Sequence, residues 1–155
     1  MTNEFDNLTS DELLAFESVI SEEKKRRLYS LDFLSFRKLI NPKLKLGWFV
    51  QDLSDKLQQF SIDFEAGLRP VLIISTPPQF GKSIAIIDWI AWQIGRNPDL
   101  RLIFSSFSER LGVRANLRLQ RILSSSVYST IFPIVKLADK DDKGFSKNRE
   151  FLEFV

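Results

Sequence analysis

The sequence predicts an α/β fold, in which part of a parallel sheet alternates with helices. Val71–Ile74 is a short β-branched run of the kind that parallel sheets bury on both faces. A loop follows it, then a helical pattern over Ser83–Ile94 and a second strand pattern over Leu100–Phe107. A strand, a helix and a strand in this order form a βαβ unit, so we expect two parallel neighbours joined by a right-handed crossover.

Helical patterns fill the chain before the first predicted strand and follow the second one. Capping residues, apolar spacing and breakers predict four further helices, over Thr9–Tyr29, Leu31–Ile40, Trp48–Phe60 and Ser108–Leu123. Residues 1–66 are therefore predicted to form a helical N-terminal extension. Residues 67–155 are predicted to form a separate, incomplete α/β core, whose last strand is Glu150–Val155.

Composition limits the chemistry that the chain can perform. Its 155 residues carry 22 basic and 20 acidic side chains, a net charge of +2, which is too balanced to indicate nucleic-acid binding by itself. The absence of cysteine excludes disulfides and thiolate metal sites, and the absence of histidine removes the commonest general base. The N-terminus has no signal pattern, and no apolar run approaches about 20 residues, so we expect a cytoplasmic protein.

The loop Ser75–Ser83 has the features of a phosphate-binding P-loop (Walker A motif). It lies between a predicted buried strand and a helix, where backbone N–H groups and the helix N-terminus converge on phosphate oxygens. Gly81 permits close backbone approach, Lys82 would reach the β- and γ-phosphates, and Ser83 would offer its hydroxyl to Mg²⁺. Thr76 stands where the strict pattern has glycine. The expected cofactors are ATP and Mg²⁺, and the expected nucleotide-binding residues are Thr76, Pro77, Pro78, Gln79, Phe80, Gly81, Lys82 and Ser83.

Three stretches of the chain together point to a known family. In Pro77–Ser83 two prolines replace the usual glycine-rich start of the loop, Trp89–Asp99 closes the helix that follows, and Ile103–Leu111 continues towards Ile131–Pro133. Over roughly Leu31–Pro133, the chain resembles the ATPase part of phage terminase large subunits. Gln79 differs from the arginine that family loops commonly carry, so a charge-stabilising role is not transferred to it.

The resemblance implies a P-loop NTPase-type parallel sheet, of which this chain holds only the N-terminal portion. It also implies a motor that hydrolyses ATP to drive double-stranded DNA into a preformed capsid. The partners that follow from the resemblance are double-stranded DNA, the portal protein and the small terminase subunit. The intact protein would form a homo-oligomeric ring in the cytoplasm of a bacterial host cell, and a separate nuclease domain would cut the DNA.

Hydrolysis requires carboxylates that the sequence does not clearly supply. An ATPase needs an apolar strand ending in acidic residues, which hold Mg²⁺ and orient the attacking water. The acidic cluster after the P-loop helix, Asp139, Asp141 and Asp142, follows a poor candidate strand, and the nuclease carboxylates are missing. We therefore expect Mg-ATP binding through Lys82 and Ser83 with little or no hydrolysis. A helicase-like motor fragment and a non-enzymatic, truncated prophage remnant remain alternatives.

A second candidate site lies on the helix after Ser108. Its arginines recur at helical spacing and form one stripe: Arg110, Arg114, Arg118 and Arg121. Such a stripe could contact DNA phosphates or the nucleotide of a neighbouring subunit. The alternative is an arginine-rich face that is simply exposed to solvent.

Overall fold

Helices form all the regular secondary structure of the residues that the computed structural model describes, which are 9–135 apart from the side chain of Glu12. The first five agree with the helical patterns of the sequence to within a few residues. A sixth, short helix was not predicted. The helices are α1 (Ser10–Leu31), α2 (Phe33–Ile40), α3 (Trp48–Glu65), α4 (Lys82–Arg96), α5 (Glu109–Leu123) and α6 (Ser126–Ile131). In this part of the chain, none of them is both long and apolar enough to cross a bilayer.

The predicted α/β class, a P-loop NTPase-type parallel sheet, is wrong for the described residues, which are all-helical. Val71–Ile74 and Leu100–Phe107 contain no strand, and no backbone hydrogen bond between them is found within residues 9–135. Leu72 and Ile74 pack against the core, whereas Val71 and Ile73 are 85% and 86% exposed. Burial therefore alternates along Val71–Ile74 without a strand being formed. A strand also needs a hydrogen-bonded neighbour, which this local pattern does not specify. The predicted strand Glu150–Val155 and the acidic cluster at 139–142 lie outside the described residues.

The core is built around α4, which packs against α2, α3 and α5 and also contacts α1. Trp92 is almost fully buried and lies 5.3 Å, centroid to centroid, from Phe33 of α2. Its indole Nε1–H donates to the carbonyl of Tyr29 in α1, at 3.1 Å. The Tyr128 hydroxyl, on α6, donates to the carbonyl of Ala91 at 2.9 Å, and burial raises the pKa of this phenol. Buried aromatic side chains, whose polar groups are hydrogen-bonded, thus join α1, α2 and α6 to α4.

A buried ion cluster joins α4 to α2 and α5. The carboxylate of Asp88 in α4 is fully buried, and its Oδ1 accepts from Arg118 of α5 at 2.8 Å. Its Oδ2 accepts from Asn41 at 3.0 Å and from Arg37 of α2 at 3.4 Å. Arg37 also donates to Ser54 of α3 at 2.9 Å. Removing one partner from such a cluster leaves a buried charge unpaired, so the cluster fixes how these helices are placed.

Burial disfavours the charged forms of Asp88 and Arg37, the two central members of this Asp88 cluster. It raises the pKa of Asp88, although the hydrogen bond and charge of Arg118 and the charge of Arg37 act in the opposite direction. It lowers the pKa of Arg37, against the favourable effect of Asp88. The cluster combines two guanidinium groups with one carboxylate, so positive charge is in excess next to α4.

Substitution of Gly95 tests how closely α4 packs against the end of α6. A Cβ atom on Gly95 would lie 2.3 Å from the ring of Phe132, a buried side chain. We expect Gly95→Ala to destabilise the fold by about 1–3 kcal/mol, because overpacking outweighs the better helix propensity of alanine. Urea denaturation followed by circular dichroism measures the difference.

Gly112→Ala in α5 is the matched control. Its Cβ would meet only the Ser106 hydroxyl, at 3.3 Å, and a serine side chain can move. We expect Gly112→Ala to be neutral or to stabilise by up to about 1 kcal/mol. Equal urea midpoints for the two variants would show that the contact between Gly95 and Phe132 is not tight.

Candidate functional site

The predicted phosphate-binding loop ends in two left-handed backbone positions directly before α4. Gln79 has a φ of 68°, and Gly81, the N-cap of α4, has φ 79° and ψ 8°. Among the described residues, no side chain caps this helix end. The first N–H groups of a helix have no acceptor within it, and left-handed turns direct neighbouring N–H groups to one side. The loop therefore presents backbone donors to an anion at the start of α4.

Lys82 lies across this loop. Its ammonium Nζ donates to the backbone carbonyl of Thr76 at 2.9 Å, which closes the loop on itself. The Thr76 hydroxyl oxygen is buried and has no hydrogen-bond partner within the described residues. A bound phosphate could accept both from this hydroxyl and from the Lys82 ammonium, whose partner among the described residues is a neutral carbonyl. The loop therefore fits an anionic group.

An aromatic contact holds the tip of the loop against α3. The Phe80 ring lies 5.8 Å from the Phe49 ring at an interplanar angle of 86°, an edge-to-face arrangement. Beside this contact is an open pocket of about 470 Å³. The basic side chains Arg37 and Lys45 and the apolar side chains Val50 and Ile84 belong to its lining. Lys45 is exposed, whereas Arg37 is buried and paired with Asp88. A mostly apolar pocket with an exposed cation at its edge is suited to an anionic organic ligand.

The structure brings some of the predicted nucleotide-binding residues together and leaves others at the surface. Thr76 and Lys82 are joined by their hydrogen bond, and Gly81 adopts a left-handed conformation. The others are exposed, namely Pro77, Pro78, Gln79, Phe80 and Ser83. Ser83 lies in the first turn of α4, where its hydroxyl is the predicted magnesium ligand. Within residues 9–135 there is no group of three or more acidic side chains that could hold a metal.

The arginine stripe on α5 divides into two parts. Arg110, Arg114 and Arg121 are exposed. Arg118 is half-buried and donates to Asp88 Oδ1 and to Asn41 Oδ1, both at 2.8 Å. An arginine that holds a buried carboxylate has a structural role, so a surface contact would depend on the other three.

Sequence reasoning missed the contribution of Arg37, Phe49 and Asp88 to this region. One signal was present, because Asp88 is the only charged residue in the otherwise apolar run from Ile84 to Trp92. A carboxylate on the buried face of a helix requires a cationic partner. Which arginine supplies the partner depends on contacts between distant helices and is not visible in the sequence.

The left-handed geometry at Gly81 can be tested by substitution. A Cβ on Gly81 would meet nothing within 4 Å, so the cost of Gly81→Ala comes from its positive φ alone. We expect a loss of about 1–2 kcal/mol in unfolding free energy, measured by urea denaturation. Gly47→Ala is the control, because Gly47 is also an N-cap with an open Cβ position but has a φ of −101°. Equal losses would show that Gly81 is not held in the left-handed region.

Comparison with known proteins assigns this chain to no family. The resemblance to terminase large subunits rests on sequence stretches between Leu31 and Pro133. The candidate site rests on the geometry of the loop and of α4. No protein-family model, no curated protein and no solved structure matches the chain.

Proposed function

We propose that this protein binds the phosphate groups of Mg-ATP at the loop that precedes α4. The observation that carries the proposal is the position of Lys82. Its ammonium group lies over the loop with one neutral hydrogen-bond acceptor, 2.9 Å away, at the end of a helix that no side chain caps. A triphosphate would supply the negative charge that both the ammonium and the helix N-terminus favour.

Binding would exchange one hydrogen bond of Lys82 for a stronger one. The ammonium leaves the Thr76 carbonyl and donates to a phosphate oxygen, an interaction between full charges. The buried Thr76 hydroxyl gains the acceptor that it lacks. The N–H groups at the start of α4 donate to the same phosphate. Magnesium, when bound with the nucleotide, neutralises phosphate charge, and Ser83 is the residue that would contact it.

The wider role that we propose is in DNA packaging, as the resemblance to terminase large subunits implies. In that setting this chain would supply the ATP-binding part, and ATP hydrolysis by the intact motor would drive double-stranded DNA into a capsid, together with a portal protein and a small terminase subunit. The exposed arginines of α5 are the surface that would contact DNA phosphates, and they are Arg110, Arg114 and Arg121. We further propose that this chain alone turns ATP over slowly, because no strand ending in acidic residues is recognisable in its sequence.

Replacement of Lys82 tests the binding proposal. We expect wild type to bind Mg-ATP and Lys82→Ala to bind it at least about tenfold more weakly, because a charge-assisted hydrogen bond is lost. Isothermal titration calorimetry measures both affinities, and a phosphate-release assay measures turnover.

Lys56→Ala is the control, because Lys56 is an exposed lysine on α3 whose ion pair is with Asp52 rather than with the loop. It should bind Mg-ATP like wild type. Equal affinity of wild type and Lys82→Ala would refute a role of Lys82 in phosphate binding. Brisk turnover by the wild-type chain would refute the expectation of slow hydrolysis.

A further inference from the structure

Helix α1 carries a stripe of exposed side chains at coiled-coil spacing. The positions are separated alternately by four and three residues, the pattern that keeps side chains on one seam of a helix. All six are exposed to solvent, including Leu13 at 42%, Ile20 at 38% and Leu31 at 56%. We call this set the α1 seam, and its members are Leu13, Glu17, Ile20, Lys24, Arg27 and Leu31.

The body of the protein holds α1 by another side of the helix. The carbonyl of Tyr29 accepts from Trp92, and the Tyr29 side chain packs against the core. Tyr29 is two residues from Arg27 and two from Leu31. Each residue turns a helix by about 100°, so Tyr29 points roughly away from the seam. Within residues 9–135, no hydrogen bond or ion pair engages the side chains of Glu17, Lys24 or Arg27. Among the described residues the seam is exposed to solvent, and its C-terminal end, Arg27 and Leu31, borders an open pocket that Phe132 and Ile134 of the body also line.

The order of charges along the seam selects the partner and its direction. An antiparallel second copy would place its Leu31 against Leu13, its Arg27 against Glu17 and its Lys24 against Ile20. Every layer is then either apolar, oppositely charged, or an isoleucine against the aliphatic stem of a lysine. A parallel copy would instead oppose Glu17, Lys24 and Arg27 to themselves, which places like charges together in three layers.

In the same register, the basic run at positions 24–27 of one helix lies opposite residues 17–20 of the other, where Glu17 supplies the negative charge. We propose that two copies of this chain associate through antiparallel pairing of their α1 seams.

Charge reversal tests this pairing. We expect sedimentation equilibrium to show a concentration-dependent dimer for wild type. Glu17→Arg and Arg27→Glu should each raise the dissociation constant at least about tenfold, because each creates like-charge layers. The double variant Glu17→Arg/Arg27→Glu should dimerise again, and a mixture of the two single variants should form a heterodimer. Recovery of dimerisation in both experiments would show that the single variants lose helix pairing rather than folding.

Glu22→Arg is the control, because it makes the same change in net charge at an exposed position off the seam. Its dissociation constant should match that of wild type. The relative direction of the two helices is measured separately, from the distance between spin labels on the Ser10→Cys variant. The label attaches at position 10, because the wild-type sequence has no cysteine. At a rise of about 1.5 Å per residue, antiparallel pairing places the two labelled Cα atoms about 36 Å apart, and parallel pairing about 10 Å. A wild type that stays monomeric up to about 1 mM, a dimer insensitive to Glu17 and Arg27, or the short label distance would each overturn the proposal.

Discussion

The carboxylate of Asp88 is the constraint on which the arrangement of the helices depends. It is fully buried in α4, and it accepts from Arg37 of α2, from Arg118 of α5 and from Asn41. A buried charge must have its partners in place, so these elements can meet α4 in few ways. Apolar burial alone would stabilise many arrangements of amphipathic helices. The ion cluster selects one of them.

This constraint also positions the candidate site. Lys82 and Gly81 lie at the start of the helix whose middle carries Asp88, so the cluster fixes the direction in which the N-terminus of α4 points. Arg37 belongs both to the cluster and to the lining of the pocket beside Phe80. The excess positive charge of the cluster adds to the partial positive charge at the helix end, and both favour an anionic ligand. Arg37 and helix α4 therefore link the buried cluster to the region of the candidate site.

The sequence predicted the helices well because their signals are local. Ser108 caps α5 through its hydroxyl, and the apolar residues Leu53 and Leu57 of α3 are buried. The sheet was predicted wrongly because an extended pattern such as Val71–Ile74 contains no information on its hydrogen-bonding neighbour. The loop residues were identified from spacing, but the hydrogen bond from Lys82 to Thr76 and the pocket beside Phe49 arise from contacts that no local pattern encodes.

Amide hydrogen exchange with and without Mg-ATP tests the central claim most directly, because the claim places the phosphates on backbone N–H groups. The account predicts that Mg-ATP slows exchange at Gln79 to Ala85, the end of the loop and the first turn of α4, while α1 is unchanged. The Lys82→Ala variant should show less protection at the same positions. Unchanged exchange across this stretch at saturating Mg-ATP, or protection confined to the arginine-bearing helix α5, would contradict the account.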